Sequence, residues 1–131
     1  MTRTMYFGHD PSTYDTDLER ALLAAIAATF PSYTVENPNQ PHHLEGYHRW
    51  RQMTGDGREY YRRIILPRMD AGVFLASASG LLSADTYADA TWFDRHRKPT
   101  YLITRTGEIV HVRPDARLAM PSPVGNPKRT R

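Results

Sequence analysis

Asp85 and Asp89 are the residues of this chain best spaced for chemistry. Four positions apart, they share one face of any helix that carries them. Two close carboxylates raise one apparent pKa, which supplies a general acid or weakens the binding of an anionic substrate. Asp70 is a third acid, standing immediately before the apolar run Ala71 to Ala76. A polar segment, His9, Asp10, Ser12, Thr13 and Tyr14, offers hydroxyls and backbone N–H groups of the kind that hold phosphates or sugars. His42, His43 and His48 match no recognised zinc spacing and have no cysteine partner, so no metal site is expected. Each acid also has an ordinary reading. Asp89 is then a solvated helix charge, Asp85 a favourable charge at a helix N-terminus, and Asp70 a solvated junction residue.

The elements that must position these groups follow from periodicity. Thr4 to Gly8 reads as a strand, with Gly8 allowing a sharp turn after it. Thr16 opens a helix with Glu19 completing a capping box, and Leu18, Leu22, Ile26 and Phe30 recur at helical spacing until Pro31. Tyr33 to Glu36 is a shorter strand expected nearer an edge, closed by Asn37-Pro38-Asn39. His42 to Met53 is polar and aromatic, a short helix at most. Arg58 to Met69 reads as a helix whose last turn Pro67 must end. Ala71 to Ala76 is too short for anything but a buried strand. A Ser/Gly-rich loop containing Gly80 leads to a helix from Ser83 to before Lys98-Pro99, then to a strand over Thr100 to Thr104. Glu108 to Val112 makes a fifth strand. Two strands joined by one helix are parallel, and ligands in such sheets bind beyond the carboxyl ends of the strands. The expectation is a doubly wound, flavodoxin-like three-layer α/β sandwich with a five-stranded, mostly parallel sheet. It spans residues 1–112, with a Pro/Arg-rich tail over 113–131 that is extended or disordered.

The totals agree. A length of 131 residues suits one domain, and 40% hydrophobic with 24% charged content is that of a globular protein. No apolar run approaches a membrane span. The absence of cysteine and of a signal-peptide core points to a reducing compartment and a cytoplasmic location. The net charge of +3 sits partly in RRIILPR, RHRK and the terminal PKRTR. That is too sparse for a nucleic-acid stripe, and no nucleic-acid or membrane partner is expected. Arg62, Arg63 and Arg68 could meet a phosphate. Trp50, Trp92 and Phe93 read as core or interface residues, with Trp92 or Phe93 a possible wall of a base-stacking pocket.

Several motifs in this order resemble the nucleoside 2-deoxyribosyltransferase family, which includes the nucleotide N-glycosidases. Tyr6-Phe7-Gly8-His9-Asp10-Pro11-Ser12-Thr13-Tyr14 resembles the opening YFAHPISTY of a small branch, and Asn37-Pro38-Asn39-Gln40-Pro41-His42 its run NPNDPxH. Asp70 before Val73-Phe74-Leu75, and Lys98-Pro99 before Tyr101-Leu102, continue the likeness from about Thr4 to Val112.

The resemblance implies cleavage or transfer at the N-glycosidic bond of a nucleoside or nucleotide through a carboxylate nucleophile. The transition state is oxocarbenium-like and the intermediate a covalent ester. By the resemblance Asp89 is the nucleophile, Asp70 a positioning carboxylate or acid, and Tyr6 the hydrogen-bonding partner. Gly8, His9, Asp10, Ser12, Tyr14, His42, Gly80 and Asp85 would contact substrate. No metal or organic cofactor is implied, and a homodimer or higher oligomer is. The chain departs from the family's helix motif, roughly D-x-G-T-A-x-E: Ser83, Asp85, Thr86 and Asp89 stand for its Asp, Gly, Thr and Glu. Asp for Glu withdraws the carboxylate by about 1 Å, a misplacement that can cost roughly 10²-fold in rate. Two other readings therefore stand beside the enzyme. One is a degenerate nucleotide-binding module, a sensor or sequestering protein; the other is a TIR-like NAD glycohydrolase.

Overall fold

The computed structural model describes residues 2–121. The basic terminal PKRTR, and the greater part of the tail expected to be extended, lie outside the described residues. The chain builds β1 (Arg3–Gly8), α1 (Asp17–Thr29), β2 (Tyr33–Glu36), α2 (Pro41–Thr54), α3 (Arg58–Tyr60), β3 (Ala71–Leu75), α4 (Ala84–Arg95), β4 (Thr100–Ile103) and β5 (Ile109–His111). Five strands form one sheet in the order β2-β1-β3-β4-β5. The first four are parallel, and β5 returns antiparallel beside β4. This is the three-layer, flavodoxin-like sandwich that the pattern predicts, with β2 at the edge.

Alternation along β1 explains the layers. Met5 and Phe7 point to one face, where they join Leu22 and Ile26 of α1 with Val73 and Ile103. Tyr6 points to the other, where it meets Phe74, Leu102, Phe93 of α4 and Ile65 and Leu66 of the segment after α3. Both faces are covered, as a parallel sheet requires. Each fully buried Phe or Leu contributes about 1.5–3 kcal/mol. Phe93 is thus core rather than a pocket wall.

Three local expectations are corrected. Gly8 does not serve a sharp turn: a Cβ there would lie 2.4 Å from the Phe74 ring, so the glycine makes room for that ring. Gly8→Ala is accordingly expected to lower stability by about 1–3 kcal/mol through overpacking, read as a drop in Tm. The polar stretch after Pro38 is a full helix, α2, with Pro41 in its first turn and Gly55 as a left-handed cap at φ 83°. The segment 58–69 is not one regular helix. It opens with α3, widens into a π turn over Tyr61–Ile65 and tightens into a 3₁₀ turn over Leu66–Arg68. Pro67 lacks the N–H a regular helix would use, and π turns concentrate at functional sites.

Part of the tail docks. Ala116–Leu118 forms a 3₁₀ turn, and Leu82 donates its N–H to Leu118 O and accepts from Met120 N–H. Among the described residues no helix is long and apolar enough to cross a membrane.

Candidate functional site

The C-terminal end of β1 runs into the loop His9 to Thr16, and the N-terminus of α4 follows β3 at the same edge of the sheet. Between them lies a cavity of about 350 Å³. β1 supplies Tyr6, its loop supplies His9, Asp10, Pro11 and Tyr14, and α4 supplies Asp85, Thr86 and Asp89. Pro38, Leu44 and Tyr47 close one side, and Arg58 and Tyr61 another. The volume lies at the small end of the range for ligand pockets, and the walls are largely aromatic.

Asp89 is 3% exposed and ion-paired with Arg58, whose Nη2 donates to Oδ2 at 2.5 Å. Its other oxygen, Oδ1, is buried with no hydrogen-bond partner, and so is Arg58 Nε. Loss of water pushes the Asp89 carboxyl above the ordinary carboxylate range, against the opposing charge and hydrogen bond of Arg58. Burial would lower the Arg58 pKa, but the charge and hydrogen bond of Asp89, with the charge of Asp85, outweigh it and keep the guanidinium protonated. Asp85 Oδ1 lies 3.7 Å from Arg58 Nε, and its side chain is largely exposed. Arg58, in α3, lies over the Tyr61 ring at the start of the π turn, 5.5 Å from its centroid. Burial pushes the Tyr61 hydroxyl up to about 12 and raises those of Tyr6 and Tyr14, so all three stay protonated.

The loop after β1 is fastened at both ends. Asp10 Oδ1 accepts from Ser83 Oγ at 2.8 Å, and Ser83 Oγ lies 2.9 Å from Thr86 Oγ1. Beneath the cavity, His9 places Nδ1 3.0 Å from Phe7 O and Nε2 2.8 Å from Glu19 Oε2. Phe7 O can only accept, so Nδ1 donates to it, and Nε2 faces the Glu19 carboxylate. Glu19 also accepts from Asp15 N–H and from Asn37 and Asn39 Nδ2. Burial would raise its pKa, but the bonds from His9, Asp15 and Asn39 prevail and hold the carboxyl below its ordinary value.

The expected site residues divide clearly. Asp89, Tyr6, His9, Asp10, Tyr14 and Asp85 all line the cavity. Asp70 does not, and its role beside Asp89 is corrected. It is exposed before β3, at the opposite edge of the sheet, where Oδ2 accepts from Thr4 N–H at 2.8 Å. A residue that precedes a parallel strand sits at the amino end by construction. Ser12 lines a smaller neighbouring hollow of about 100 Å³, and Gly80 sits at an exposed turn with φ 83°. His42 is exposed against His43, and Gly8 is packed under Phe74. None of these four lines the main cavity. Arg62 and Arg63 pair with Asp56 and Glu59 instead.

Arg58, Tyr47, Tyr61 and the buried Glu19 escaped the sequence reading. Arg58 and Tyr61 carry one faint signal, a spacing of three that puts them on one face. Ligand atoms of Glu36, His42 and His43 lie within 4.8 Å of one another. Yet both ring nitrogens of His43 are engaged, by Tyr60 OH at 2.8 Å and Glu36 Oε2 at 2.7 Å, so His43 reads as a satisfied buried residue.

The fold and the cavity together define an α/β sandwich with an acidic, tyrosine-walled pocket at the carboxyl edge of its sheet. No protein-family model matches the chain, no curated protein matches it and no solved structure matches it.

Proposed function

We propose that this protein cleaves or transfers at the N-glycosidic bond of a nucleoside, with Asp89 as nucleophile. One observation carries the reading: a carboxylate 3% exposed, with one oxygen unpartnered, in a tyrosine-walled cavity at the carboxyl edge of a parallel sheet. In that reading the Asp89 carboxylate attacks the anomeric carbon, the C–N bond breaks with its electron pair going to the base, and an ester forms on Asp89. Water then attacks the same carbon, the ester C–O bond breaks toward Asp89, and the water's proton goes to the released base. Tyr6, close enough to feel the charge of Asp89, holds the sugar or the nucleophile through a hydroxyl that stays protonated.

Incubation with a panel of nucleosides and nucleoside monophosphates, with chromatography for free base, tests this. Asp89→Asn is expected to reduce base release by at least about 10³-fold while the fold is retained. Release unchanged by that substitution overturns the assignment. Asp70→Asn is expected to leave the rate within about twofold, because a solvated group far from the reacting atoms carries little transition-state binding.

A second reading rests on Arg58. Its guanidinium already occupies the Asp89 carboxylate, as suits a site that binds a ligand without turning it over. Stabilisation by a ligand that is never cleaved supports that reading. For the NAD reading, the cavity offers, among the described residues, one arginine and no second arginine or lysine for a pyrophosphate.

A further inference from the structure

The cavity carries three carboxyl groups, Asp10, Asp85 and Asp89, against one guanidinium, Arg58. The N-terminus of α4, where a phosphate would settle, is filled by the chain's own acids: Asp10 holds the Ser83 hydroxyl at the helix cap, and Asp85 lies in the first turn. Tyr6, Tyr14, Tyr47 and Tyr61 line the same cavity. Asp89 Oδ1, buried and unpartnered, leaves one negative oxygen without a donor. A flat cation satisfies all of these at once; an anion satisfies none.

We propose that the ligand of this cavity is a phosphate-free nucleoside whose base carries a positive charge, of the N-alkylated purine or N-linked pyridinium type. The binding claim stands on the cavity alone; the chemical claim rests on the N-glycosidic reading above.

The chemistry also favours such a base. A neutral base leaves only if an acid protonates it, and the expected acid, Asp70, is at the other end of the sheet. Inside the cavity Asp10 is engaged as an acceptor, Asp85 lies beside Arg58, and burial makes Tyr6, Tyr14 and Tyr61 reluctant to release protons. A cationic base needs no proton. Asp89 attacks the anomeric carbon, the C–N electron pair flows to the ring nitrogen and cancels its charge, and the base departs neutral. Water then adds to the anomeric carbon, the ester C–O bond breaks toward Asp89, and the water's proton passes to solvent. The products are free sugar, neutral base and one proton.

The test uses matched probes on the full chain: 7-methylguanosine against guanosine, and nicotinamide riboside against its 5′-phosphate. Binding is read by thermal shift and titration calorimetry, and cleavage by chromatography of free base. The charged, phosphate-free member of each pair is expected to bind about tenfold or more tightly than its counterpart. Asp85→Asn, a largely exposed position, is expected to shrink that preference several-fold. Guanosine or the phosphorylated riboside binding as tightly as its partner overturns the proposal, and so does an absence of binding by all four. Selective binding of the charged nucleosides without base release upholds the ligand class and overturns the cleavage reading. Faster cleavage of guanosine than of 7-methylguanosine does the reverse.

Discussion

Replacing Arg58 with glutamine is expected to cost about 3–5 kcal/mol of folding free energy at neutral pH, measured by urea denaturation, because it strands a buried carboxylate without its counter-charge. Asp89 is nearly fully buried and has one oxygen unpartnered already; Arg58 provides the bond to the other. The loss will depend on pH in a definite sense. Burial holds the Asp89 carboxyl above its ordinary range and Arg58 works against that shift, so removing Arg58 raises it further. In the unfolded chain Asp89 returns to its ordinary value. A carboxyl that binds its proton more tightly folded than unfolded destabilises the fold above both values, and the effect vanishes below the unfolded one. The deficit of Arg58→Gln is therefore largest near neutrality and shrinks on acidification toward the ordinary carboxylate range. Adding Asp89→Asn to the variant removes the stranded charge and should recover most of the loss. A deficit that ignores pH would assign Arg58 a packing role over Tyr61 instead. In base-release assays, the acidic limb of the rate profile should move to higher pH in Arg58→Gln, since the nucleophile must be ionised to attack.

The parts of this structure legible in the sequence are those set by local pattern. The run beginning at Ala71 and the stretch Thr4 to Gly8 are read directly as strands, and from them follow the parallel sheet and its carboxyl edge. Asp85, Asp89 and the loop of His9, Asp10 and Tyr14 lie at that edge because of where they fall relative to β1 and β3. The same rule places Asp70 at the far edge, and the family likeness obscured it. Arg58 and Tyr61 enter the cavity where the short α3 runs into a π turn, whose extra residue per turn no propensity signals. Tyr47 reaches the cavity only because α2 packs against α3, a tertiary fact. Glu19 was legible as a capping residue, and its backbone does cap: its N–H donates to Thr16 Oγ1 at 3.1 Å. Its side chain reaches past the cap to His9 and two asparagines, because the loop after β1 and the turn after β2 meet above α1.

That crossing makes Glu19 the other position of large effect. Glu19→Ala is expected to lower stability by about 3–5 kcal/mol, since it leaves the donors of His9, Asn37, Asn39 and Asp15 without their common acceptor in a buried place. Asp15 sits at φ 63°, a left-handed conformation that its bonds to Glu19 and Asn39 help to hold. The deficit shrinks in acid as that of Arg58→Gln does, but it arises from a carboxyl shifted in the opposite direction. The folded-state pKa of Glu19 is depressed, so its charge stabilises the native protein above the unfolded value, and that contribution is lost as pH falls through the folded value. Wild type and Glu19→Gln should therefore differ most near neutrality and converge in acid, when the carboxyl is protonated and resembles the amide. The substitution also separates scaffold from chemistry. His9 lines the cavity and Glu19 does not. Loosening the loop should weaken ligand binding through Asp10 and Tyr14, yet leave the acidic limb set by Asp89 in place. A shift of that limb in Glu19→Gln would place Glu19 in the proton chemistry and transfer to it a role here given to Asp89.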